Sequence, residues 1–316
     1  MTEPGRGPSE IAFAYRLVPV GRLPELQTAV DALAGEGRLS ENATFRGYLR
    51  ELSYGPPADL PDARSVLILA VFTRLMYVRF HLGGTAHDVM MPPSYYSTGL
   101  SAEDLKAAVL ERAIGEPGHV AVRANAVPLK ALAVRSGLGA YGRNGICYVD
   151  GMGSFLTLHA YFTDLGCSEE HWGDAVLMPA CRGCSLCVRA CPCGAISAED
   201  PVIDADKCLT LYNEDLGDFP QWIGPDAHNA LVGCMRCQLC CPANREVAKR
   251  AGRLEDVTEE ETRRILEGRP DAALLESLTR KLRQFVPATS EEHFPILTRN
   301  LRALLGRYVR GSVLYE

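Results

Sequence analysis

Cysteine is missing from most of this 316-residue chain: all 12 cysteines lie between Cys147 and Cys241. A disulfide framework would spread its cysteines across a small secreted domain, so this clustering points to metal instead. Long apolar runs are also absent, and no window comes near the ~18 consecutive apolar residues of a membrane span. The N-terminal MTEPGRGPSE lacks the basic stretch and apolar core of a secretion signal, so the expected location is cytoplasmic, without a membrane partner. A basic surplus is missing too. The formal net charge is −6 and the pI about 5.7, which removes a global electrostatic reason for nucleic-acid binding and disfavours a tRNA partner.

Hydrophobic residues make up 47 % of the chain and charged residues 23 %, enough for a sizeable core. The expected fold class is α+β, in three segments. Residues 1–170 read as an α/β domain. ELQTAVDALAGEG from Glu25 is an amphipathic helix, SVLILAVFT from Ser65 a buried strand, and MYVRFHL from Met76 a strand beside it. SAEDLKAAVLERA and VPLKALAVRSGLG read as helices, and HVAVR, GICYV and SFLTLHAYF as strands. Residues 171–250 are cysteine-rich and poor in periodic segments, as expected where metal drives folding. Residues 251–316 return to helical patterning, opening on the capping-box signal of TEEETRRILEG.

The first cysteine motif is Cys181-x2-Cys184-x2-Cys187-x3-Cys191-Pro192. In the bacterial ferredoxin spacing, three thiolates hold one cubane and the fourth cysteine turns away to the other. The second motif is Cys234-x2-Cys237 followed by Cys240-Cys241-Pro242, with Cys208 isolated between the two. Cys241 precedes a proline as Cys191 does, which makes it the cross-ligand. The spacing therefore predicts one [4Fe-4S] cluster on Cys181, Cys184, Cys187 and Cys241, and a second on Cys191, Cys208, Cys234 and Cys237. Zinc ribbons are the alternative for paired CxxC steps, but three such steps ending in Cys-Pro over-supply a four-ligand ion. Cys147, Cys167, Cys193 and Cys240 are left as small buried hydrophobes, with Cys193 and Cys240 close enough in sequence to substitute as ligands. Two neighbouring clusters make a one-electron wire, and about 170 residues precede it, so a reaction site is expected at its far end.

CRGCSLCVRACPCGAIS, DADKCLTLYNE and GCMRCQLCCPANRE, with KALAVRSGLGAYGRNGICYVDGMGSFLTLHAYFTDL upstream and LTRNLRALLG downstream, together resemble the cobalamin-dependent epoxyqueuosine reductases. The resemblance covers residues 127–316 well and the first 120 weakly. It implies a nitroreductase-like module in which base-off cobalamin lies between an α/β domain and a ferredoxin-like cluster domain. Electrons would come from a reduced ferredoxin or flavodoxin, and the cluster on Cys191, Cys208, Cys234 and Cys237 would be nearer the corrin. Gly137-x-Gly139-x-x-Gly142 formally fits a dinucleotide fingerprint, yet it follows a helix and precedes a strand, the reverse of what that fingerprint requires. It reads either as a glycine-rich helix exit or, on the resemblance, as a loop at the corrin. In the latter case Gly139, Gly142, Arg143, Asn144, Gly153 and Ser154 are the cofactor-binding candidates.

In one place the chain departs from the family it resembles. Where the family carries an acidic proton donor this chain has Arg123, and no Asp or Glu occurs between His119 and Tyr148. An arginine, permanently charged near neutral pH, donates a proton poorly and instead suits a carboxylate or phosphate. The catalytic candidates are then Arg123 with Tyr95 and Tyr96 from PPSYYSTG. The expectation is a cobalamin- and iron–sulfur-dependent reductase with a small substrate other than epoxyqueuosine. The alternatives are a non-catalytic electron-transfer or corrinoid-handling protein, and an epoxyqueuosine reductase acting in tRNA queuosine synthesis.

Overall fold

The computed structural model describes residues 12–99, 101–109, 119–124, 126–167, 171–199 and 202–309. In chain order the strands are β1 (Phe13–Pro19), β2 (Ser65–Phe72), β3 (Met76–Leu82), β4 (Thr85–Met91), β5 (Ala121–Arg123), β6 (Ala140–Tyr141), β7 (Cys147–Tyr148), β8 (Leu156–Thr163) and β9 (Gly252–Arg253). The α-helices are α1 (Leu23–Gly35), α2 (Ala43–Arg50), α3 (Ala102–Val109), α4 (Leu129–Arg135), α5 (Leu186–Ala190), α6 (Leu209–Glu214), α7 (Arg236–Leu239), α8 (Arg245–Ala248), α9 (Glu259–Glu267), α10 (Ala272–Lys281) and α11 (Phe294–Val309). None of the described helices is long and apolar enough to cross a membrane.

The chain forms two compact units with interleaved sequence. The first takes Met1–Phe72, Gly99–Cys184 and Ala198–Asp204; the second takes Thr73–Thr98, Ser185–Ser197 and Ala205–Glu316.

The first unit is built on an antiparallel sheet of order β1-β2-β8-β5. β2 is buried along nearly its whole length because both of its faces are covered. Val66, Ile68 and Ala70 point into a core with Leu23 and Leu26 of α1 and Leu132, Ala133 and Val134 of α4. The alternate residues Leu67, Leu69 and Val71 point the other way, against Leu105 and Ala108 of α3. The side-chain period of two in a strand makes a continuous apolar run the signature of this double burial. HVAVR and SFLTLHAYF supply β5 and β8 as expected, whereas only two residues of GICYV pair, as β7 with β6.

MYVRFHL is a strand, but it does not lie beside β2. It is β3 of the second unit, in a sheet of order β4-β3-β9. Its alternation explains the difference: Met76, Val78 and Phe80 are buried, and the residues between them are only partly so, which suits a strand with one covered face. That face packs against Ile265 of α9, Leu274 and Leu278 of α10, and Leu297 and Leu301 of α11. Helix α9 opens with the expected capping box, Thr258 and Glu261 each holding the other's backbone N–H, and closes on Gly268 at φ 73°.

Candidate metal centre

Short helices place the thiols. In the second unit Cys187 lies on α5, Cys208 caps α6, Cys237 lies on α7, and Cys234 sits just ahead of α7. Gly233 adopts φ 62°, and a Cβ built there would stand 3.0 Å from the Tyr95 hydroxyl, so the residue before Cys234 must be glycine on two counts. None of the 12 cysteines is in a disulfide.

Cys191, Cys208 and Cys234 are brought together: burial raises the Cys208 thiol and the nearby Cys191 adds to it, and burial raises the Cys234 thiol with Cys208 and Cys191 adding to it. The donors aimed at these sulfurs act in the opposite sense. Thr210 donates to Cys208. Asn229 Nδ2 donates to Cys234 Sγ at 3.2 Å, and Ala195 N donates to Cys191 Sγ at 3.3 Å. In the first unit Arg143 N donates to Cys181 Sγ at 3.4 Å. Such N–H···S bonds stabilise a thiolate that carries cluster charge and tune its potential.

The remaining thiols behave differently. Cys240 Sγ donates to the Cys237 carbonyl, Cys167 Sγ donates to the Leu17 carbonyl, and burial lifts Cys147 to about 11. Cys193 is also raised to about 11, by burial and then by Cys191, Cys234 and Cys208, so it packs directly beside that trio.

The donor set fits [4Fe-4S] clusters: clustered thiols without disulfides, each motif supported by backbone or amide N–H groups. Of the two predicted ligand sets, Cys191, Cys208, Cys234 and Cys237 all fall in the second unit. The other set divides, with Cys181 and Cys184 in the first unit and Cys187 and Cys241 in the second.

The glycine-rich loop has internal work. A Cβ on Gly139 would lie 2.4 Å from the Tyr148 carbonyl oxygen, and one on Gly142 would lie 2.5 Å from Asn144 Oδ1. Asn144 is buried and donates to the Tyr148 hydroxyl at 3.1 Å. Gly153, at φ 57°, accepts the Val149 N–H, and Ser154 is buried behind it. Arg143 donates to the carbonyls of Cys181 and Ala198, while its buried Nε has no protein partner. That spare donor beside Cys181 suits an anionic cluster.

Arg123 ends β5, exposed, opposite Tyr161, and with burial it lowers the pKa of His159. Tyr96 is buried, donates to the Arg74 carbonyl at 2.7 Å and is lifted by burial to about 12. Tyr95 donates to the Glu214 carboxylate. Arg123 belongs to the first unit and the two tyrosines to the second. Sequence reasoning missed Asn229, Thr210 and Glu214, because no spacing rule ties an amide, a hydroxyl or a carboxyl to a cysteine that the chain reaches only after folding.

Residues 180–244 match a family described as the 4Fe-4S double cluster binding domain. Curated relatives share more than this stretch. The chain is 30 % identical over 217 residues to the epoxyqueuosine reductase of Gloeobacter violaceus, covering 63 % of this chain and 62 % of that one. It is 34 % identical over 195 residues to that of Cyclobacterium marinum (61 % and 56 %), and 27 % identical over 199 residues to that of Staphylococcus aureus (61 % and 51 %). The chain thus spans between about half and three-fifths of these relatives' length. The fold is that of a solved epoxyqueuosine reductase from Streptococcus thermophilus, with a TM-score of 0.61 at 19 % identity over 93 % of this chain and 77 % of that one. An epoxyqueuosine reductase solved with an epoxyqueuosine-modified tRNA-Tyr stem loop gives a TM-score of 0.62 at 17 % identity, over 96 % and 78 %. Because the aligned stretches run to roughly three times the cluster domain, the likeness is not that of a ferredoxin module alone: the chain carries a 4Fe-4S double cluster binding domain and is similar to the epoxyqueuosine reductases well beyond it.

Proposed function

We propose that the chain is an oxidoreductase of the epoxyqueuosine reductase type, taking single electrons through two [4Fe-4S] clusters to a cobalamin that acts on the substrate. The observation that carries this reading is the convergence of Cys191, Cys208 and Cys234 under N–H donors, within a chain whose curated relatives bear that name over some 200 residues. Cys237 completes the second ligand set, and Cys181, Cys184, Cys187 and Cys241 form the first. The cobalamin module, nitroreductase-like as the resemblance implies, would draw on residues 1–170, followed in the chain by the ferredoxin-like segment 171–250 and the helical segment 251–316. Gly139, Gly142, Arg143, Asn144, Gly153 and Ser154 are the residues proposed near the corrin.

The relatives favour epoxyqueuosine in tRNA as the substrate over the different small substrate that Arg123 suggested. The acidic balance of the chain is weak evidence against tRNA when a protein of similar fold binds an epoxyqueuosine-modified tRNA stem loop. The altered-substrate reading keeps one specific support. Arg123 stands exposed at the end of β5, where a carboxylic acid would be expected, which leaves Tyr95 or Tyr96 to supply the proton.

The test is anaerobic reconstitution with iron, sulfide and cobalamin, followed by incubation with an epoxyqueuosine-containing tRNA stem loop and nucleoside mass analysis. Queuosine formation supports the reading. If corrinoid is retained at one cobalt per chain after desalting and no queuosine forms, the altered substrate gains. If no corrinoid is retained at all, the cobalamin assignment is wrong.

A further inference from the structure

The two ligand-bearing loops of the second unit present the same pair of side chains in mirrored order. On α5, Leu186 and Arg189 are three residues apart; on α7, Arg236 and Leu239 are three residues apart. That spacing puts each leucine and its arginine on one side of the helix. All four are exposed, and α5 packs on α7. Leu186 immediately precedes Cys187, and Leu239 immediately precedes Cys240-Cys241, so these exposed leucines cover the backbone that carries predicted cluster ligands.

The charge around them is one-sided. Ser185–Ser197 and Cys234–Arg250 contain Arg189, Arg236, Arg245, Lys249 and Arg250 against a single acid, Glu246, which pairs with Lys249. The intervening stretch, residues 198–233, has eight acids and one lysine. A chain of net charge −6 has therefore gathered positive charge on its two cluster motifs and negative charge between them. The exposed arginines of α5 and α7 attract an acidic partner. Each exposed leucine stands beside an exposed arginine on its own helix, a pairing of apolar and charged surface that suits a protein–protein contact. The two loops contain no aromatic residue on which a nucleobase could stack.

We propose that the α5–α7 face is the docking surface for an acidic one-electron carrier protein. The carrier is oxidised by one electron, a cluster is reduced by one, and no proton moves. The inference rests on the proposed function only in needing the clusters; it requires neither cobalamin nor a particular substrate.

The experiment uses the reconstituted full chain, without cobalamin, and a reduced acidic ferredoxin as the probe. Cluster bleaching is followed by stopped flow at increasing ionic strength, beside reduction by dithionite. Wild-type reduction by ferredoxin is expected to slow at least tenfold between about 50 and 500 mM salt, and at least tenfold again in R189E/R236E at low salt. Dithionite reduction and iron content should stay the same, which separates lost docking from lost clusters. Leu186→Ser with Leu239→Ser is expected to weaken docking at every salt concentration. Equal ferredoxin rates in wild type and R189E/R236E overturn the proposal. So does a result in which the charge reversals abolish binding of a tRNA stem loop while ferredoxin reduction is untouched, since that would assign the face to RNA. Failure to bind corrinoid or to turn over substrate would count against the proposed function and leave this test intact.

Discussion

Asn229 holds Cys234 with one end of its amide and the backbone of Met235 with the other: Nδ2 donates to the sulfur at 3.2 Å, while Oδ1 accepts Met235 N–H at 2.8 Å. One buried side chain thus sets both the sulfur's hydrogen bonding and the start of α7. Asn229→Leu keeps the volume and removes both bonds, together with the one from Nδ2 to the Ala227 carbonyl at 2.9 Å. The expected result is a cluster bound about tenfold less tightly, with a more negative potential. An EPR-monitored redox titration with iron analysis checks it; an unchanged potential at full iron content would contradict this role.

Cys208 and Cys240 should separate ligand from bystander. Cys208 caps α6 beside Cys191 and Cys234, whereas the Cys240 thiol donates to the Cys237 carbonyl. Two cubanes carry about eight irons. Cys208→Ala is expected to lose about half of them, and Cys240→Ala none, by iron and sulfide assay after anaerobic reconstitution.

Gly142→Ala tests what the glycine-rich loop does. The added methyl would lie 2.5 Å from Asn144 Oδ1 and from the Tyr148 ring, and relief moves the turn whose next residue, Arg143, donates to Cys181 Sγ. The expected effect is a loss of about 1–3 kcal/mol of stability from overpacking, together with an altered cluster EPR signal in protein that has never met a corrinoid. A variant with normal clusters and impaired corrinoid retention would instead favour the cofactor-loop reading.

Glu261 ties α9 to α10. Burial pushes its pKa up, but hydrogen bonds from Lys281, Ser277 and Thr258 outweigh that and hold it at about 2. Its folded pKa is therefore depressed, so the stabilisation is present above its unfolded value and fades as pH falls towards 2. Partial exposure reduces the gain to about 1–2 kcal/mol. Glu261→Gln should lower Tm by a constant amount from pH 8 to about 5.5, with the gap narrowing below that. Calorimetry across this range reads it directly, and a gap independent of pH down to 4 would rule out the carboxylate as the cause.

How far the sequence could be read varies by element. The Thr258 capping box and the Ser65 strand follow local rules and stand where those rules put them. Strand β3 was legible as a strand but not as to its sheet. Alternation records that one face is covered, yet nothing in Met76–Leu82 says that the cover is α9, α10 and α11, more than 170 residues further on.

The metal centre divides in the same way. Spacing alone marked out Cys181, Cys184, Cys187, Cys191, Cys234 and Cys237 as ligands, because a CxxC turn is a local device whose reach is set by the backbone between its two thiols. The order of the motifs also assigned Cys208 to the set of Cys191, Cys234 and Cys237; only the tertiary structure set Thr210 on the Cys208 sulfur, aimed Asn229 at that of Cys234 and bonded Tyr95 to Glu214. Those relations join residues brought together by packing, and the free energy that holds them comes from cores whose members are scattered along the chain.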